Sequence, residues 1–212
     1  KEVVSVVERL RQEGILAESK DISAYLLDAG DSERRARMFL DRFAKLERYI
    51  LSHIPDDALR ISCKQLNDNA VHDGITTSKE KDIRTLLYFL TIKGYTYKKE
   101  DAVHNMELVR RADMESIIRR FEKRLVISRF AVEWLYKLVK DKVIEDSDTE
   151  KTAVQFSVVE LLNQVKANAQ SLLGELDDLQ LEDVEEALLY LSKIGALKLE
   201  GGFLVLYNAM NI

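Results

Sequence analysis

The chain has 212 residues, with 32 Lys+Arg against 37 Asp+Glu, a formal charge of −5 and 46% hydrophobic residues. That is enough apolar material for one or two globular domains, and with 33% charge of mixed sign it excludes collagen-like and disordered classes. One Cys excludes a disulfide framework and a Cys-rich zinc module, and one Pro with 8 Gly makes long helices the default.

The predicted elements begin with a repeat. Glu2, Val3, Val7, Leu10 and Gly14 set a pattern that returns at Asp82, Ile83, Leu87, Leu90 and Gly94, and again at Asp183, Val184, Leu188, Leu191 and Gly195. The i, i+4, i+7 spacing puts the aliphatics on one helix face, and the Gly falls where a helix end needs positive φ. The second and third copies also share an aromatic (Phe89, Tyr190) and a hydroxyl (Thr91, Ser192). Nothing precedes the first copy, so residues 1–40 are expected to be a helical, incomplete repeat.

Residues 41–112 read as a winged-helix domain. "AKLERYILSHI" is a helix, Leu59 to Cys63 a strand, and "CKQLNDNAVHDG" a short helix ending at Gly74. Thr77 or Ser78 is expected to cap the third helix. Tyr95 and Tyr97 then alternate with polar residues, and Val103 to Val109 alternates loosely, which predicts a hairpin with its tip near Lys98 to Asp101.

In residues 113–143, Ile117, Ile118, Phe121, Leu125, Phe130, Trp134, Leu135 and Leu138 recur at helical spacing. This is one long basic helix, or two with a bend near Ile127-Ser128. "EDSDTEK" (145–151) is a polar break and the best linker. Residues 150–212 read as a second, acidic winged helix. Val154 to Phe156 is a strand, Ser157 with Glu160 makes a capping box, and the third repeat supplies the last helix. "ALKLEGGFLVLYNAM" (196–210) reads as a hairpin with Gly201-Gly202 at its tip. The fold class is mainly α with small β-hairpins (α+β): tandem winged helix-turn-helix modules joined by a long central helix.

The charge is unevenly placed. Residues 1–109 carry 18 basic and 19 acidic groups, net −1; residues 110–142 carry 10 and 5, net +5; residues 143–212 carry 4 and 13, net −9. A winged helix that reads DNA presents cations on its third helix and wing. The second copy has Lys79, Lys81, Arg84 and Lys93 on or beside its helix and Lys98 and Lys99 in its wing. The third has Glu182, Asp183, Glu185 and Glu186, which repel phosphate and point to protein docking. Arg119, Arg120, Lys123 and Arg124 form a denser basic patch. Each of these groups also has a plainer reading, as a solvated helix face or ordinary turn composition.

Catalytic motifs are lacking: there is no phosphate-cradling G-x-x-x-x-G-K-[ST], no D-E-x-H, no G-x-G-x-x-G and no H-E-x-x-H. His53, His72 and His104 are far apart, Cys63 has only Lys64 beside it, and Trp134 and Tyr136 fit core packing. The piece itself is not expected to be an enzyme or to hold a cofactor or metal. No run of 18 uncharged apolar residues exists, so no membrane partner is expected. A start at Lys1 without a leader, and an apolar end, suggest an excised fragment.

"LEDVEEALLYLSKIGALKLEGGFLVLYNAMNI" (181–212), with "VVERLRQEGILAESKDISAYL" (6–26) upstream, resembles a region of long bacterial RecQ-type ATP-dependent DNA helicases. There, a helical and winged-helix segment follows superfamily 2 motor domains. The likeness is strongest over the first 26 and last 32 residues or so, and its motifs are apolar and structural. The chain departs from that family in lacking both motor lobes and the four-cysteine zinc subdomain. The resemblance implies a cytoplasmic, nucleoid-associated parent that hydrolyses ATP, with Mg, to unwind DNA, this piece being an accessory. Its expected partners are duplex or forked DNA, with the wing as a strand-separating wedge, and either the motor domains or another protein on the acidic module. The competing reading is a tandem winged-helix interaction scaffold of a chromosome-organising or transcription complex. A third, a ligand- or metal-sensing regulator, lacks a His/Cys cluster and a dimerisation heptad.

Overall fold

A computed structural model describes residues 16–18, 21–25, 32–100, 105–145, 153–168, 179–201 and 204–206. The chain is mainly helical, with small antiparallel sheets. Expectations for the helix at 2–14, the hairpin tip at 101 and most of the linker lie outside the described residues.

Within 1–40, expected to be helical, the described residues form β1 (Leu16–Glu18), β2 (Asp21–Tyr25) and the start of α1 (Ser32–Ser52). The expected boundary at 40 therefore falls inside a helix. Ala36, Leu40, Phe43, Ala44, Ile50 and Leu51 make one buried stripe along it. After α1 come β3 (Leu59–Ser62), α2 (Cys63–His72), α3 (Glu80–Ile92), β4 (Thr96–Glu100) and β5 (Asn105–Arg110). Ser62 Oγ accepts the Gln65 N–H at 3.1 Å and caps α2. α3 starts after Lys79 with no side-chain cap. The expected cap by Thr77 or Ser78 is corrected: Ser78 Oγ instead donates to Asn67 Oδ1 at 2.7 Å, tying the loop to α2. β5 lies between β3 and β4, antiparallel to both, so the hairpin over 95–109 is present as β4 and β5.

The central run is one helix, α4 (Met114–Glu145). Asp113 holds its first turn, accepting the Ser116 N–H at 2.9 Å and Oγ–H at 2.7 Å. The Ser116 hydroxyl and then its amide hold the Asp113 carboxyl below the ordinary carboxylate range. A depressed folded pKa means stabilisation present above the unfolded pKa and lost as pH falls through the folded one. Asp113→Ala is expected to lower the melting temperature at neutral pH and to change it little once the wild-type Asp113 is protonated. Thermal melts of both chains from neutral to strongly acidic pH check this.

α4 runs antiparallel to α1, with ion pairs Lys140–Glu33 at 2.6 Å, Arg37–Glu133 at 3.2 Å and Arg129–Asp41 at 2.9 Å, then Arg48–Glu122. These exposed pairs add little. The buried stripe of Ile117, Phe121, Leu125, Val132 and Leu135 against α1 carries the packing.

The last part of the chain supplies β6 (Ala153–Ser157), α5 (Val158–Asn168), α6 (Leu181–Lys193), β7 (Lys198–Gly201) and β8 (Leu204–Leu206). The sheet order here is β6-β2-β7. The expected hairpin over 196–207 is corrected: β7 pairs with β2, and β8 pairs with β1. Strands from the two ends of the chain thus complete one unit, and the unit 32–110 is inserted between them. A turn signal such as Gly201-Gly202 is local, while the strand that captures β7 comes from the other end of the sequence.

Both complete repeats behave alike. Ile83, Leu87 and Leu90, and likewise Val184, Leu188 and Leu191, are buried. Gly94 and Gly195 have φ of 71° and 81°. Tyr95 N–H bonds to Leu90 O at 2.9 Å and Ala196 N–H to Leu191 O at 3.0 Å, the same six-residue closure of the helix end. The matched aromatics Phe89 and Tyr190 meet edge-on with centroids 5.2 Å apart.

Candidate nucleic-acid interface

The exposed face of α3 carries Lys81, Arg84, Tyr88 and Ile92, with Lys79 exposed at its N-cap. Lys79 and Lys81 have no carboxylate partner among the described residues. Arg84 is paired with Glu80 at 2.5 Å on the same helix. Unbonded N–H groups at this helix start favour an anion in the same direction as the lysines. Lys93 sits half-buried at the C-cap of α3, and its carbonyl accepts from Arg120 at 2.7 Å.

In the hairpin, Lys99 is exposed opposite Glu107, and Lys98 is half-buried opposite Leu108. Tyr97 is 43% exposed between Lys99 and Arg111, whose charged ends lie 5.9 and 5.8 Å from its ring centre. Tyr88 is 55% exposed, with Lys193 Nζ 5.4 Å from its ring centre. Sequence reasoning passed over both tyrosines as surface candidates. Tyr88 lies one turn beyond Arg84, where a polar stripe makes an aromatic conspicuous.

The central patch does not stand as one surface. Arg119 is exposed and pairs with Glu115 at 2.8 Å. Arg120 pairs with Glu186 and lies 3.9 Å over the Tyr95 ring. Lys123 pairs with Asp183 at 2.9 Å. Arg124 as a DNA contact is corrected: its side chain is 1% exposed and paired with Glu47, itself 0% exposed. Four rings surround it, Tyr190 at 4.4 Å, Phe89 at 4.6 Å, Tyr95 at 5.1 Å and Phe121 at 5.6 Å. Burial works against the Arg124 charge, and Glu47, Tyr95 and Tyr190 more than restore it. Burial pushes the Glu47 carboxyl up against the pull of Arg124. Three of the four patch residues thus join α4 to α1 and to the acidic helix α6.

The acids expected to dock another protein are partly engaged within the chain. Asp183 also accepts the Gln180 N–H at 2.8 Å, half of a capping box that starts α6. Glu186 accepts from buried Tyr95 at 2.8 Å as well as from Arg120. A second concavity, about 780 Å³, lies beside α1 and is lined by Arg35, Met38, Phe39, Arg42, Lys45 and Thr77 among others.

Cys63 is half-buried with Sγ 3.4 Å from Met106 Sδ, and Trp134 packs edge-on against Phe156 at 5.8 Å. His53 stacks on Tyr49 at 4.0 Å. Among the described residues no group of His, Cys, Asp or Glu could hold a metal ion, and no helix is long and apolar enough to cross a membrane. No known protein family, curated protein or solved structure matches the chain.

Proposed function

We propose that residues 32–110 form a winged helix-turn-helix that binds duplex or forked DNA, as a non-catalytic accessory part of a RecQ-like ATP-dependent DNA helicase. One observation carries the reading. Helix, strand, helix, helix and hairpin follow in order, and the hairpin closes a β3-β5-β4 sheet. Beside it, α3 presents Lys79, Lys81, Arg84 and Tyr88, and the hairpin presents Tyr97 and Lys99. Cations on the third helix and in the wing are what grip phosphates on both sides of a groove. ATP and Mg belong to the parent's motor domains, so the chain's contribution is grip and position.

The tandem interaction scaffold is the second reading. It is favoured by the engagement of Arg120, Lys123 and Arg124 with Glu186, Asp183 and Glu47, which removes most of the basic patch from solvent-facing work. Fluorescence anisotropy with labelled duplex, fork and single strand separates the two. Under the DNA reading, duplex or fork binds at about 50 mM salt and weakens steeply by about 200 mM. Absence of binding to all three at the lower salt removes that reading and leaves the scaffold.

A further inference from the structure

The Gly201-Gly202 pair carries a hairpin signal that this structure does not use. In the sheet of residues 32–110, the central position belongs to β5, the second arm of a local hairpin. In the other sheet the corresponding elements are β6 for β3, α5 for α2, α6 for α3 and β7 for β4. By that correspondence β8 is the counterpart of β5. Yet the central position beside β6 is held by β2, which is in register with β6 over five residues and with β7 over four. β8 pairs only with β1, over three residues.

We propose that the central slot beside β6 is shared by two strands of this chain. β2 holds it here, and β8 takes it when the N-terminal segment is drawn away, folding back on β7 through Gly201 and Gly202. The registers make this specific. Ala24 lies opposite both Val154 and Leu199, and Tyr25 opposite both Ala153 and Lys198. A two-residue Gly201-Gly202 turn brings Leu204 to the position of Ala24 and Val205 to that of Tyr25. Val154 and Phe156 of β6 are buried, so the slot asks for apolar cross-strand partners. β8, with Leu204, Val205 and Leu206, answers that demand at least as well as Ile22, Ser23 and Ala24 of β2. What the arrangement with β2 adds is the β1–β8 ladder. Any partner that takes residues 16–25 in extended form therefore remodels the C-terminal sheet without unfolding it.

The test uses the full-length chain with Cys63→Ser and one of two cysteine pairs. Tyr25→Cys with Ala153→Cys reports β2 in the slot, and Ala153→Cys with Val205→Cys reports β8. In the parent, mild oxidation is expected to cross-link the first pair and leave the second open. Ala24→Pro removes a ladder donor and cannot sit in a central strand. It is expected to raise cross-linking of the second pair by at least about tenfold, the change that follows from losing about one ladder hydrogen bond. Adding Gly201→Val and Gly202→Val should return it to the parent level by blocking the turn. If Ala24→Pro leaves the second pair open, the proposal is overturned, whether circular dichroism shows the module melted or still folded. Equal cross-linking with the two valines present overturns it too.

Discussion

Arg124→Met is expected to lower the unfolding free energy by about 3–5 kcal/mol, the usual cost of removing one partner of a buried ion pair. Against a total stability of about 5–15 kcal/mol for a typical domain, that is a large fraction. The reason is geometric. Arg124 and Glu47 are essentially without solvent access, and Phe89, Tyr95, Phe121 and Tyr190 fill the space around the guanidinium. Methionine fills part of that volume but leaves Glu47 buried with no cation. Glu47→Gln keeps the shape and leaves Arg124 without its countercharge, so it should cost a similar amount. Glu47→Leu with Arg124→Met removes both charges and should recover most of the loss, because two apolar groups carry no desolvation penalty. Urea unfolding of the three variants measures the cycle.

The same pair has a pH signature. In Arg124→Met the pull on Glu47 is gone, and burial raises its carboxyl further. A folded pKa raised above the unfolded one gives stability that is complete below the unfolded pKa and lost as pH rises through the folded pKa. The deficit of Arg124→Met should therefore shrink as pH falls toward the ordinary glutamate value near ~4.3. A deficit constant across that range would place the cost in packing alone.

Much of this was open to a reader of the sequence, and the failures have identifiable causes. The repeated helices were legible because i, i+4, i+7 aliphatics and a closing Gly are strong local signals, met here by buried Ile83, Leu87 and Leu90 and by Gly94 at φ 71°. The β4–β5 hairpin was legible for the same reason. The β6-β2-β7 sheet was not, because its central strand arrives from the far end of the chain and no local pattern announces it. Arg124 was misplaced by a count of charges, although its position was informative. It falls on the stripe Ile117, Phe121, Ser128, Val132, Leu135 of α4, as Glu47 falls on the stripe Leu40, Ala44, Leu51 of α1. A charged residue on an apolar stripe in each of two long helices is the sequence trace of a buried pair. Tyr88 and Tyr97 were passed over because exposure of an aromatic is a tertiary property.

Replacing Lys79, Lys81 and Lys99 by Ala together is expected to reduce the slope of log affinity against log salt by about one unit per lysine, near 3 in all, on duplex DNA. All three are exposed, and Lys79 and Lys81 have no carboxylate partner among the described residues, so truncating them costs little stability. The effect should be uniform across DNA sequences, as phosphate contacts are. Arg120→Ala and Lys123→Ala make the opposite control. Each breaks a contact between α4 and α6, with Glu186 and Asp183, so each should lower the melting temperature and leave the salt slope near wild type. Arg119→Ala lies exposed on α4 beside Glu115 and should change neither. A slope that falls with the α4 variants and not with the α3 and hairpin lysines would move the DNA surface to the central helix and detach it from the winged-helix reading. Salt titrations by anisotropy and melts on the same preparations give both readouts for every variant.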